Sequence, residues 1–395
     1  MSEAVHVLSL GYSTELLSAD KSTSDGANRR QFFASNVGSY TMIPLTRKKE
    51  GHIEARIGNI HVIPTNGLNI LHALLRMYLI GSRLCRDGKI NVIQTQEATT
   101  TGIIGFILKV RYRLPISICV FGPNPWDRSW SHASVFNRLI TPIARFILRR
   151  AECVIADGSL TIDRLQDVGI SNNKLVLKVN VPSNILDFTQ PDGTKVRQKL
   201  LGKQYSNMLL SVGSMSVQKN VPFVLQVFKG VLKDYPQTLL LMIGRGRRKV
   251  EYRHLASELG IEKNIIWIDN VPHSEIPSYF AASDIVLLGS RFEGFPRVFL
   301  EAATVGRPIV TTKVSGCTDG VNSNETGFVL PQNDLSGFVM RVNELLCDKE
   351  MACRMGASGQ ALVGKIISKR EYFNRKQIKV WESLLQRNNP GVSND

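Results

Sequence analysis

The sequence predicts an α/β protein of two doubly wound, Rossmann-like domains with parallel sheets, facing each other across a cleft. Three observations carry this expectation. Short β-type runs alternate with longer helical runs, and that alternation implies right-handed crossovers between parallel strands. The rhythm breaks at a polar stretch, residues 183–206, and restarts at Met208. The length of 395 residues suits two or three domains at roughly 150 residues each.

Taken in order, Val5–Leu10 reads as the first strand, and a polar loop follows it to about Gly26. A helix begins near Asp25 or Asn28. Tyr40–Pro44 and Ile60–Pro64 read as strands, and residues 68–86 have helical spacing. Asn91–Thr95 is a strand ending in the polar loop QTQEATTTG, with a helix after it. Ile116–Phe121 is a strand, residues 134–150 are helical, Cys153–Ala156 is a strand and Ile162–Val168 a short helix. A linker is expected near residues 185–205. Met208–Val212, Leu239–Ile243, Ile265–Ile268, Ile285–Leu288 and Ile309–Thr312 are the strands of the second series, separated by helices. The last helix, about 369–387, is amphipathic and basic and carries Trp381.

Composition narrows the function classes. Apolar residues at 43% and charged residues at 21% exclude chain-long disorder. The 31 Gly and 16 Pro have no regular period, which excludes a fibrous protein. The net charge is +16, and residues before and after 190 contribute equally to it. A basic surface of this kind favours a polyanion, an anionic membrane or phosphorylated small molecules. Six cysteines without a C-x-x-C pair read as buried thiols in a reducing compartment. No basic residue precedes the first apolar run, so no signal peptide is expected, and no apolar stretch reaches about 18 residues. The expected location is cytoplasmic, peripheral on the inner face of the cell membrane.

Ligands of doubly wound sheets bind outside the carboxyl ends of the strands, so the loops there carry the chemistry. The most informative stretch is residues 284–312, DIVLLGSRFEGFPRVFLEAATVGRPIVTT. A strand ends at Leu288. Pro296 suits the first helical position, because its missing N–H has no partner there. The helix runs to Val305 and stops at Gly306. Free N–H groups near Phe295–Val298 can hold a phosphate, and Arg291 and Arg297 add positive charge. Glu293 and Glu301 lie too far apart to point at one atom, so each can accept hydrogen bonds from hydroxyls of a different sugar ring.

This stretch resembles the Glu-x7-Glu signature of retaining glycosyltransferases of family 4 (glycosyl transferases group 1), which have the GT-B fold. The resemblance extends to SVGSMSVQKNVPFVLQVF at 211–228, to residues 240–284 and to VSGCTDGVNSNETGFVLP at 314–331, the family's loop and hairpin after the signature. It is strong over about 208–335 and fainter before that. It implies an acceptor-binding domain over residues 1–185, with a C-terminal helix at 370–390 packing back on it, and a nucleotide-sugar domain over 186–369. It further implies that Glu293 contacts the donor sugar and Glu301 the ribose. Gly294 and Phe295 offer backbone N–H groups, and Lys219 neutralises the diphosphate. Gly11 and Gly26 close on the phosphates, and Gly213, Ser214, Gly244, Arg245, Arg291 and Arg297 complete the donor site. The catalytic pair is Lys219 and Glu293.

Three positions depart from the family, and one is Asn220, where a Gly often follows the Lys. Ser214 stands where an Arg is usual, and Arg245, Arg291 or Arg297 is left to replace its charge. Phe121 takes the place of a His, with Asp127, Arg128 or Trp130 to contact sugar instead.

Other motifs fail. Gly213–Lys219 lacks the second Gly and the Ser/Thr of a P-loop, and Lys249 stands where the third Gly of a G-x-G-x-x-G would fall. No H-x-x-x-H or Asp-x-Asp occurs, so neither a metal nor another cofactor is expected. In residues 136–150, Phe136, Leu139, Ile140, Ile143, Phe146 and Ile147 share one helical face and arginines crowd the rest. That pattern fits a core-facing helix with a basic outer side, or a helix lying on anionic lipid. No nucleic-acid motif accompanies the basic segments. The expected function is transfer of a hexose-type sugar from a nucleotide-diphosphate donor to a saccharide or lipid-linked saccharide, in exopolysaccharide, capsule or other cell-surface glycan synthesis. The alternatives are a nucleotide-sugar 2-epimerase and a non-catalytic sugar-nucleotide-binding or scaffold protein of the same fold.

Overall fold

Runs of buried apolar residues form the strands, because sheets covered on both faces admit few polar side chains. The computed structural model describes residues 4–17, 25–121, 128–132, 134–179, 181–182, 185–189 and 191–388. The chain divides into two units, Met1–Ser183 with Arg370–Asp395, and Asn184–Lys369.

Among the described residues, the first unit holds an eight-stranded sheet. Its strands are β1 (His6–Gly11), β2 (Ser39–Pro44), β3 (Ala55–Ile57), β4 (Ile60–Val62), β5 (Val92–Thr95), β6 (Ile116–Val120), β7 (Cys153–Ala156) and β8 (Leu175–Leu177), in the order β3-β4-β2-β1-β5-β6-β7-β8. All neighbours are parallel except β3 and β4. One core layer joins Leu8, Ile93 and Ile118 to Met77, Leu108 and Ile147 of the helices Ile70–Arg86, Thr100–Tyr112 and Val135–Arg150. Asn69 and Ser134 start two of these helices by accepting the His72 and Asn137 N–H groups, which satisfies donors a helix start leaves orphaned.

A separate core layer joins Val7, Tyr40 and Met42 to the helices Asp25–Ala34 and Arg370–Asn388. Trp381 is fully buried there, with its ring 5.3 Å from Phe33 and 5.9 Å from Tyr40. Its indole N–H donates to Gln94 Oε1 at 2.9 Å. Gln377 donates to the same oxygen and accepts from Lys178 Nζ at 2.6 Å. Burial pushes the Lys178 pKa down to about 7.

The second unit holds, among the described residues, a six-stranded parallel sheet. Its strands are β9 (Asn207–Val212), β10 (Thr238–Ile243), β11 (Ile265–Ile268), β12 (Ile285–Leu288), β13 (Ile309–Thr312) and β14 (Gly327–Leu330). The order β11-β10-β9-β12-β13-β14 is the 3-2-1-4-5-6 arrangement of dinucleotide-binding sheets, whose crevice opens between the first and fourth strands. Here those strands are β9 and β12.

The structure corrects several expectations. The presumed linker contains the helix Thr194–Leu201, which belongs to the second unit. Arg197 ties it down by donating to the Ala282 carbonyl at 2.7 Å and pairing with Asp284 at 3.2 Å. β14 pairs in parallel with β13, so the segment after the signature is no hairpin. Cys347 and Cys353 are exposed, while the other four cysteines are buried. On the 136–150 helix, Ile140 and Ile147 are buried, but Phe136, Leu139, Ile143 and Phe146 face out. Among the described residues no helix is long and apolar enough to cross a membrane.

Candidate active site

The carboxyl ends of β9 and β12 diverge into two loops that meet at Glu293. One loop brings Lys219 from β9 toward the helix Val221–Val231, turning at Asn220 in a left-handed conformation (φ 50°). The other leaves β12 through Gly289 and Ser290. Glu293 is buried, and its carboxylate accepts from Lys219 Nζ at 2.6 Å, Ser290 Oγ at 2.7 Å and Gln218 Nε2 at 3.1 Å. A backbone bond ties the two loops together, and a side chain of β13 holds the second. Arg291 N–H donates to the Gln218 carbonyl at 2.8 Å, and Thr312 Oγ1 to the Ser290 carbonyl at 2.6 Å.

Gln218 and Ser290 were not among the expected site residues. Gln218 is beside Lys219 and Ser290 is three residues before Glu293, but a polar side chain in a loop leaves no pattern in a sequence.

The helix Arg297–Thr304 starts one residue later than expected, with Pro296 flanking it in an extended conformation. Glu301 is buried in its second turn, and its carboxylate makes no hydrogen bond or ion pair with a described residue. Burial raises its pKa, partly offset by the charges of Arg297 and Lys219. A largely buried carboxylate without a donor from the protein can accept hydrogen bonds from water or from a ligand.

Glycines make room at this edge. A Cβ on Gly244 would sit 1.8 Å from the Gly213 carbonyl oxygen, and one on Gly213 would sit 2.9 Å from the Lys219 chain. A small cavity there is lined by Gly213, Ser214, Lys219, Met242 and Gly289. On the far side of the signature loop, Gly316 (φ 72°) lets the chain approach Phe295 within 2.8 Å of where its Cβ would be. Phe295 lies edge-on to Phe299, and Gly294 is half-buried beside it.

The cationic candidates are less gathered. Ser214 Oγ pairs with Ser216 Oγ at 2.9 Å, and Arg245, Arg291 and Arg297 are exposed. The Arg245 charge acts on Asp269, and the Arg297 charge on Glu301.

In the first unit, Gly11 ends β1 beside Gln96, whose side chain fills the space a Cβ would take. Tyr12 N–H donates to Gln96 Oε1 at 3.1 Å. Gly26 lies in the first turn of Asp25–Ala34, against Glu15, which pairs with Arg30 at 2.8 Å. Glu97, in the loop after β5, bonds Thr99, Thr100 and Thr101 and so caps the helix behind it. Phe121 is half-buried, and the Trp130 carbonyl accepts from Asn137. Asp127 and the Arg128 side chain lie outside the described residues.

A paired lysine and carboxylate thus lies at the switch point, with a second buried acid on the next helix. Residues 192–362 match the family described as Glycosyl transferases group 1. The match spans nearly the whole of the second unit. An uncharacterized glycosyltransferase of Haemophilus influenzae is 25% identical over 260 residues, covering 65% of this chain and 68% of that protein. Sucrose-phosphate synthase from Thermosynechococcus elongatus aligns over 97% of this chain and 100% of its own, with TM-score 0.79 and 16% identity. Anabaena HepE, solved in complex with UDP-glucose, aligns over 94% and 99%, with TM-score 0.71 and 17% identity. At these identities the two structures establish the fold, a pair of parallel-sheet Rossmann-like units as in GT-B glycosyltransferases. The Lys219–Glu293 pair lies within the residues that match the group 1 family.

Proposed function

We propose that this glycosyltransferase moves a hexose-type sugar from a nucleotide-diphosphate donor to a saccharide or lipid-linked saccharide, with retention at the anomeric carbon. The observation that carries the reading is Glu293, buried and clamped by Lys219 at the switch point, with the unbonded Glu301 on the following helix. The HepE complex with UDP-glucose supports a uridine-type donor among the candidates. The setting is cell-surface glycan synthesis at the cytoplasmic membrane face, where the chain acts as a peripheral protein.

In this reading Glu293 accepts bonds from the donor sugar and Glu301 from the ribose. The bond from the anomeric carbon to the leaving diphosphate oxygen breaks, and the acceptor oxygen bonds to that carbon on the same face. The acceptor's proton passes to the leaving oxygen, so no protein base is required. Negative charge gathers on the diphosphate, and Lys219 with the N–H groups entering Arg297–Thr304 stabilises it. Such preorganised charge is commonly the largest catalytic contribution.

A thermal-unfolding screen of UDP-, GDP- and ADP-sugars tests the donor, followed by NMR of the product's anomeric proton. One class is expected to raise the unfolding temperature and to give a product with the donor's configuration. No shift with any nucleotide sugar, or an inverted product, would overturn the reading.

The raised Glu301 pKa gives a pH dependence. Only the ionised carboxylate accepts from both ribose hydroxyls. Nucleotide affinity is therefore full above the raised pKa and falls as pH drops through it, beginning above the ordinary carboxylate range. Glu301→Gln is expected to bind more weakly but without this acid-side fall. Calorimetric titration across that range checks it; equal pH profiles for the two proteins would count against Glu301 as the ribose ligand.

A further inference from the structure

Three neighbouring helices of the first unit share an outward face that water alone does not account for. Ile70–Arg86 has two apolar stripes. Ala73, Met77 and Cys85 are buried on the sheet, while Leu71, Leu75 and Leu79 face outward, with Leu71 74% exposed. A helix at a protein–water boundary ordinarily needs only the buried stripe. Val135–Arg150 repeats the design: Ile140, Ala144 and Ile147 are buried, while Phe136, Leu139 and Ile143 are outside, with Leu139 68% exposed.

The helix Thr100–Tyr112 lies between them and joins them. Its Phe106 ring meets Phe146 at 5.7 Å, and Tyr112 bonds Ser82 at 2.5 Å. It adds Ile107 and Val110 to the exposed set. Adjacent exposed apolar stripes of this extent mark an interaction surface.

Charge identifies the occupant. These three helices carry nine Lys and Arg and no Asp or Glu. Lys109 pairs with Glu152, just beyond the third helix, and Arg149 donates to the Val168 carbonyl. Arg150 lies over the Phe146 ring at 5.0 Å, so charge and apolar surface interleave. A second copy seated on this face would set like charges against each other, whereas apolar side chains among one-signed basic charge suit the interface of an anionic bilayer.

We propose that the face formed by Ile70–Arg86, Thr100–Tyr112 and Val135–Arg150 docks on a membrane surface rich in anionic phospholipid. This deepens the peripheral-membrane part of the function proposed above, and it is independent of the transfer chemistry.

Flotation of the full chain with phosphatidylcholine vesicles containing about 30 mol % phosphatidylglycerol tests it. The protein is expected to float with them at low salt, to release at high salt, and not to float with phosphatidylcholine alone. The triple variant Leu71→Ser, Leu75→Ser, Leu139→Ser changes only exposed side chains and is expected to lose roughly tenfold or more in partitioning. Val250→Ser, at an exposed position of the second unit, is expected to float like the parent.

The proposal is overturned if the parent protein stays at the bottom with anionic vesicles, or if the triple variant floats equally well. A parent dimer in solution that the triple variant converts to monomer also overturns it, in favour of a second copy on this face. The nucleotide-sugar thermal shift is expected to be the same in parent and triple variant. A persistent shift without flotation sinks the docking face and leaves the transferase reading standing.

Discussion

Glu293→Gln is expected to lower sugar transfer by roughly a hundredfold to a thousandfold while the chain stays folded. The fold should tolerate the change because shape is kept and partners remain. Lys219 and Ser290 both donate to one carboxylate oxygen, where a glutamine carbonyl can stay. The new amide then faces Gln218, whose own amide can turn to accept from it. The charge is lost, and with it the strong acceptor proposed for the donor sugar's hydroxyls.

Lys219→Ala should be at least as damaging to turnover, because it removes the cation proposed to meet the leaving diphosphate. It also leaves a buried carboxylate without its counter-charge, which itself costs stability. The glutamine variant therefore isolates chemistry from folding more cleanly. Steady-state kcat/KM beside thermal unfolding of each variant gives the comparison. Turnover close to normal in both would remove this pair from the reaction.

Trp381→Ala is expected to destabilise the first unit by about 3–5 kcal/mol. The side chain is fully buried, touches Phe33 and Tyr40, and satisfies Gln94 through its indole N–H. Alanine leaves a cavity and removes one of the two donors to a buried amide oxygen. A domain's total stability is about 5–15 kcal/mol, so the loss should be plain in urea unfolding. Hydrogen exchange localises it: β1 and β2 should lose protection while β9 and β10 keep theirs. Equal loss in both sheets, or none, would show that this tryptophan does not hold the first unit together.

What was legible in the sequence follows from burial. Strands such as β7 and β12 are buried along their length, and each appears as an unbroken apolar run. β3 and β8 are three residues each with none buried, too short for their runs to stand out as strands. The helix Thr194–Leu201 was invisible because Leu201 is its one buried residue and Arg197 anchors it through polar bonds.

The site divides in the same way. Lys219, Glu293 and Glu301 stood out through their spacing, while Gln218 and Ser290 needed coordinates to reveal what they hold. Helical periodicity placed Phe136 and Ile140 on one arc. Only the packing shows that this arc is wider than the core it meets, so half of it turns outward.

Gln94 and Trp381 bond across 287 positions of the chain. During synthesis, every residue of the second unit emerges before the segment that seals β1, β2 and β5 from below. A nascent chain halted before Arg370 thus holds an N-terminal half with Tyr40 and Phe33 uncovered, a natural client for a chaperone. Completion of the first unit thus awaits a segment made only after the whole of the second.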